Sequence, residues 1–120
     1  MAKYVDGFVL AVPKKNVDAY RRMARKAGKV WRDYGAVEYV ECVADDVKKG
    51  KVTSFPQSVK AKPSETVVFS WITYKSRAHR DRVNAKVMED PRIRDMMVTG
   101  DEPFDPKRMF WGGFEVIVDV

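Results

Sequence analysis

The sequence predicts an α+β fold of the order β-α-β-β-α-β, with two helices on one face of a four-stranded antiparallel sheet. Three observations carry this. Apolar residues recur at three- and four-residue spacing between Val17 and Tyr34, the clearest helical stripe in the chain. Four segments rich in aromatic and β-branched residues read as strands around that helix and a weaker second one. The order is that of two split β-α-β units, and right-handed crossovers place both helices on the same side.

Tyr4 to Val12 is the first predicted strand, closed by Pro13. Asn16 is the expected N-cap of the first helix, whose stripe is Val17, Tyr20, Met23, Ala24, Ala27, Val30, Trp31 and Tyr34. Gly35 ends it as a C′ glycine. Ala36 to Ala44 alternates as a strand. Asp45 to Ser64 has no usable period and holds Gly50, Pro56 and Pro63. So long a connection is either a functional lid or the cover for a small hairpin around Val52 to Phe55. Glu65 to Tyr74 is the third strand. Ser76 caps a helix running to about Glu89, with a stripe through His79, Val83 and Val87. Asp90-Pro91 opens a short helix to Val98. Arg108 to Val120 is the last strand, and Gly112-Gly113 within it suggests a bulge or a close backbone approach.

The chain has 120 residues, enough for one domain with a core of its own. It is 45% hydrophobic and 33% charged, which excludes disordered and low-complexity classes. No apolar run is long enough to span a bilayer, so no membrane partner is expected. One cysteine, Cys42, cannot form an intrachain disulfide, and a reducing, cytoplasmic setting is the expectation. The net charge is +6, all of it from the first half, because residues 61–120 carry ten cations and ten acids. Eight cations crowd Lys14 to Tyr34 against Asp18 and Asp33. They lie opposite the apolar stripe without interleaved aromatics, which describes a solvated helix face better than a base-stacking surface. Nucleic acid is therefore not the expected partner. A non-enzymatic binding or regulatory module, with RNA contact through the basic first helix as one form of it, is the alternative function.

The strands do not alternate apolar with polar, as a sheet with one wet face should. One alternate set is small and aliphatic: Val5, Gly7, Val9; Val40, Cys42, Ala44; Val68, Ser70, Ile72; Phe114, Val116, Val118. It suits the space under the helices, where Cys42 would be buried and inert. The other set is aromatic-rich: Tyr4, Asp6, Phe8, Leu10; Tyr39, Glu41, Val43; Phe69, Trp71, Thr73; Trp111, Glu115, Ile117. With both helices already used, that face calls for a second copy of the sheet, related by a two-fold axis. The expectation is a homodimer enclosing a barrel-like interior.

A chain of this order and length resembles the dimeric α+β barrel, or ferredoxin-like, superfamily. More narrowly it resembles the YbaA-like family of uncharacterised bacterial proteins. The resemblance rests on Tyr4-Val5-Asp6-Gly7-Phe8-Val9, Lys26-Ala27-Gly28-Lys29-Val30-Trp31, Val52-Thr53-Ser54-Phe55-Pro56, Val68-Phe69-Ser70-Trp71, Asn84-Ala85-Lys86-Val87-Met88 and Arg108-Met109-Phe110-Trp111-Gly112-Gly113-Phe114. It implies the fold and the dimer, and supplies no reaction. The wider superfamily implies cofactor-independent oxygenase or isomerase chemistry at the level of fold analogy. It also holds haem-degrading members with an axial histidine on the second helix. Here the sole histidine, His79, lies in the first turn, earlier than theirs, and Asn84 is nearer that later position.

Asp6, Glu41 and Glu115 are the candidate catalytic acids, because a carboxyl among aromatics has a raised pKa suited to proton transfer. Asp6, mid-strand between Tyr4 and Phe8, is the best single candidate. Tyr4, Phe8, Tyr39, Phe69, Trp71, Thr73 and Trp111 are the candidate walls of a site for a small aromatic or apolar molecule. The opposing expectation is that the acids pair with Arg108 or a loop lysine, or lie at wet barrel ends. The sequence has no C-x-x-C, H-E-x-x-H, dinucleotide or phosphate-loop motif, so neither a metal nor a cofactor is expected.

Overall fold

The computed structural model describes residues 2–98, 100 and 102–120. Its elements are β1 (Tyr4–Pro13), α1 (Val17–Asp33), β2 (Glu38–Val43), α2 (Phe55–Ser58), β3 (Glu65–Tyr74), α3 (Arg77–Glu89), α4 (Pro91–Val98) and β4 (Phe110–Glu115). The four strands form one antiparallel sheet in the order β2-β3-β1-β4, the ferredoxin-like arrangement. α1, α3 and α4 share one face. Val30 of α1, Val83 and Val87 of α3 and Ile93 of α4 meet Ile72 and Tyr74 of β3 there. Tyr20 and Ala24 extend that core over Leu10, Val12 and Val68.

Several local signals act as the sequence predicts. Ser76 accepts a hydrogen bond from the His79 amide at 3.1 Å and caps α3. Asp90 accepts from the Arg92 amide at 2.8 Å and opens α4 ahead of Pro91. Gly35 adopts φ +107°, the left-handed conformation of a C′ glycine. Asn16 does not cap α1. Its side-chain amide instead donates to the Pro103 carbonyl at 3.0 Å, tying the helix start to the loop before β4.

The connection between β2 and β3 forms no hairpin. It holds the single turn α2, capped by Ser54. Val59 beyond it packs on Val9, Ala11 and Val67, on the sheet face away from the helices. Burying Val59 contributes roughly 2 kcal/mol. Arg108 clamps the segment: it meets Glu65 at 2.6 Å and donates to the carbonyl of Lys60 at 3.0 Å. The segment thus covers one end of the second sheet face and is no lid over the helix side.

β4 ends at Glu115, short of the strand expected to Val120, although the Val116 amide still donates to the Lys3 carbonyl. No bulge interrupts it. Gly112 and Gly113 pair in unbroken register with Gly7 and Asp6. The close approach is real: a Cβ on Gly113 would collide with the Tyr4 ring.

The register corrects the assignment of faces. Tyr4, Asp6 and Phe8 of β1 stand opposite Tyr74, Ile72 and Ser70 of β3. Tyr39 and Glu41 of β2 stand opposite Ile72 and Ser70. Opposed residues share a face, and this face is the one under the helices. The expected set from β1, β2 and β4 was grouped correctly but placed on the wrong side, while β3 was read correctly. Val5, Gly7, Val9, Val40, Cys42 and Phe114 lie with Phe69, Trp71 and Thr73 on the second face. Cys42 is exposed, not buried.

Candidate functional site

α1 carries large side chains toward the sheet, and they hold the helix layer off its centre. Between the two lies a cavity of about 540 Å³. Phe8 and Leu10 of β1 and Ile72 of β3 form its floor; Met23, Ala27 and Trp31 of α1 form its roof. Met97 and Trp111, 65% and 54% exposed, line its β4 side, which opens to solvent. The volume and the mostly apolar walls suit a small organic molecule.

Two carboxyls face this space. Asp6 is 1% exposed. Burial raises its pKa, and the Arg80 charge, with Tyr74 and Asn84 beside it, opposes the rise. Arg80 Nη1 lies 3.4 Å from Asp6 Oδ1, within ion-pair range but too poorly aligned for a hydrogen bond. Oδ1 is therefore a buried acceptor with no hydrogen-bond partner among the described residues. Such an atom costs stability unless a ligand or water donates to it. Arg80 is itself held by Asp81 at 3.0 Å and by the Tyr4 ring, 4.9 Å beneath its guanidinium.

Glu41 lies at the other end, roughly 12 Å from Asp6 by strand spacing. It accepts hydrogen bonds from the hydroxyls of Tyr20 at 2.7 Å and Tyr39 at 2.8 Å. Burial raises its pKa, and Tyr20, Tyr39 and Ser70 oppose the rise by hydrogen bonding. Burial and the Glu41 charge push both phenols well above their usual range, so they remain donors. Neither acid pairs with Arg108, which serves Glu65 and Asp105.

The other expected residues divide. Tyr39 tilts against Trp31 with ring centres 6.0 Å apart, and Phe8 stacks on Trp111 at 6.0 Å. Tyr4 backs the Asp6–Arg80 pair. Phe69 and Thr73 project from the second face, away from the cavity; Trp71 lines the cavity floor, with its side chain on the second face. There Trp71 and Thr73 donate to Glu38, and Phe69 packs on Phe55. Glu115 is exposed at the end of β4 and outside the site. His79 is a packed helical histidine: its Nδ1 accepts from the Lys75 amide at 3.0 Å. Burial and the charges of Lys75 and Arg82 lower its pKa.

Sequence reasoning noted Asn84 by its place on the second helix but gave it no role at the site. Its Oδ1 accepts from Trp31 Nε1 at 3.0 Å and from the Tyr74 hydroxyl at 3.2 Å, which locks roof to floor beside Asp6. The available signal was an asparagine in mid-helix beside Val83 and Val87. Polar-tipped Tyr20 and Trp31 within the α1 stripe gave a second. Among the described residues, no group of three or more His, Cys, Asp or Glu side chains is placed to hold a metal ion.

The family model described as "Protein of unknown function (DUF1428)" matches residues 3–106. The chain belongs to the DUF1428 family. A DUF1428 chain is thus what carries the cavity, and its similarity to a curated relative is close. Over 118 residues, 98% of each chain, it is 54% identical to "Uncharacterized protein YbaA" of Escherichia coli strain K12. Among solved structures it is similar to a NIPSNAP family protein of unknown function from Agrobacterium tumefaciens, with a TM-score of 0.59 at 10% identity over 96% of this chain and 88% of that one. A dimeric ferredoxin-like protein from an uncultured marine organism matches with a TM-score of 0.57 at 13% identity over the whole of both chains. At those identities the structures show the fold alone.

Proposed function

We propose that this DUF1428 chain binds a small aromatic or apolar molecule carrying a hydrogen-bond donor, in the cavity between the helices and the sheet. The observation that carries this reading is Asp6 Oδ1, buried beside Arg80 at 3.4 Å without a hydrogen-bond donor, in a mostly apolar space of about 540 Å³. A neutral hydroxyl or amide satisfies it best, because Arg80 already balances the carboxylate charge. Asp6, a buried acid with a raised pKa and an oxygen without a donor, suits the chemistry of moving a proton between positions of a bound molecule, an isomerase-type reaction that needs no cofactor. In this reading Asp6 contacts the donor group, and Asn84 and Arg80 position the carboxyl.

We further propose that the protein is a homodimer joined through the second sheet face. Phe69, Phe110 and Phe114 are 42%, 48% and 64% exposed on the second face beside Val5 and Gly7. A patch of this kind favours a second copy.

Isothermal titration with 4-bromophenol and with its methyl ether tests the ligand class. The expected result is that the phenol binds more tightly, and that Asp6→Asn narrows the gap while the circular dichroism spectrum stays unchanged. Equal affinities for the two compounds in the wild type remove the assignment of Asp6.

A further inference from the structure

A second space lies outside the cavity, between the flank of α1 and the edge strand β2. This groove has a volume of about 580 Å³ and an apolar floor that includes Ala24, Gly28 and Val43. It shares Tyr20, Ala24, Tyr39 and Glu41 with the inner cavity. The wall between the two is therefore one layer of side chains, held closed by the two phenol hydrogen bonds to Glu41.

Arg21, Arg25, Lys29 and Arg32 stand along this flank, at spacings of four, four and three residues. The outer two are engaged: Arg21 pairs with Asp18 at 2.8 Å, and Arg32 donates to the Val37 carbonyl. The central two, Arg25 and Lys29, make no hydrogen bond or ion pair among the described residues. They do not reach Glu41, whose oxygens are taken by the tyrosines. The groove therefore offers two uncommitted cations above an apolar floor, beside the thinnest wall of the cavity.

We infer that the groove is the outer mouth of the cavity and recognises the carboxylate of an amphipathic ligand whose apolar body enters beneath α1. This rests on the cavity reading above and narrows it to carboxylic acids whose small apolar tail carries the donor for Asp6. A guanidinium matches a carboxylate in two parallel hydrogen bonds, and a neighbouring ammonium adds charge. Rotation of either phenol away from Glu41 joins the two spaces. The helix stripe and the cationic row then act on one molecule, the stripe on its tail and the row on its head.

The test compares 4-phenylbutyrate with 4-phenylbutyramide, which share a tail and differ in charge. At low salt the acid binds about tenfold more tightly, and added salt erodes the preference. The exposed double variant Arg25→Gln/Lys29→Gln brings the two affinities together. Equal binding of acid and amide by the wild type, while 4-bromophenol still binds, overturns the carboxylate mouth and leaves the cavity standing. A preference that survives the double substitution also overturns it. Failure of all three compounds to bind overturns both readings.

Discussion

Glu41 is a carboxyl that burial disfavours as an anion and two tyrosines partly restore. Its pKa lies above the ordinary 4.5, so its contribution to stability is full below that value and is lost as pH rises through the raised one. Asp6 has the same sign. On going up from pH 4.5 the wild type therefore loses melting temperature relative to Glu41→Gln, which keeps an acceptor without the charge. Parallel melting curves for the two proteins between pH 4.5 and 8 contradict this. Asp6 was legible as a candidate because it sits mid-strand between Tyr4 and Phe8, two large aromatic residues on its own face. Its partners were not legible. Arg80 and Asn84 lie one turn apart on a helix whose stripe is weak, and only the packed structure brings them against β1.

At the scale of elements, α1 meets β2 closely at Gly28. A Cβ there would lie 2.7 Å from the Tyr39 ring, which Glu41 and Trp31 hold in place. Alanine favours a helix over glycine by about 1 kcal/mol, yet the collision costs about 1–3 kcal/mol. Gly28→Ala should thus lower stability in chemical denaturation, where a gain would show that Tyr39 moves freely. The clamp on the α2 segment has an acid signature. Arg108 holds Glu65 down to about 2 from its ordinary 4.5, so this stabilisation is present above pH 4.5 and is lost as pH falls toward 2. Glu65→Gln removes the clamp at neutral pH, and protease then cuts within residues 45–64 faster than in the wild type. Unchanged cleavage rates oppose that picture. The helices were readable because their signals are local: the α1 stripe, Ser76, Asp90-Pro91 and Gly35. Asn16 failed because a distant carbonyl, that of Pro103, outcompeted the helix end. The turn at Phe55 was hidden because its apolar contact, Val59, is made across the sheet and leaves no period in the sequence.

For the whole molecule, the imbalance between apolar strand faces and available helices was legible, but β1, β2 and β4 were assigned to the wrong side relative to β3. Strand alternation fixes which residues share a face within one strand, and not how the strands combine or which face the helices take. Aromatic residues were expected to need a second sheet. Here Tyr39 and Phe8 fit beneath the helices, because Trp31 and Tyr20 keep α1 at a distance. The small residues Val5, Gly7 and Val9 serve the open side, where Phe69, Phe110 and Phe114 supply the apolar surface. Phe114→Asp accordingly yields a species of one chain mass in sedimentation velocity, against two for the wild type, with little change in melting temperature. A wild type that sediments as one chain contradicts the dimer. The account as a whole depends on where a ligand goes. A crystal structure of the protein with 4-bromophenol locates the bromine directly through its anomalous scattering. The predicted peak lies under α1 among Phe8, Ala27 and Ile72, with the hydroxyl on Asp6 Oδ1. A peak on the open sheet face with this cavity empty would contradict the account.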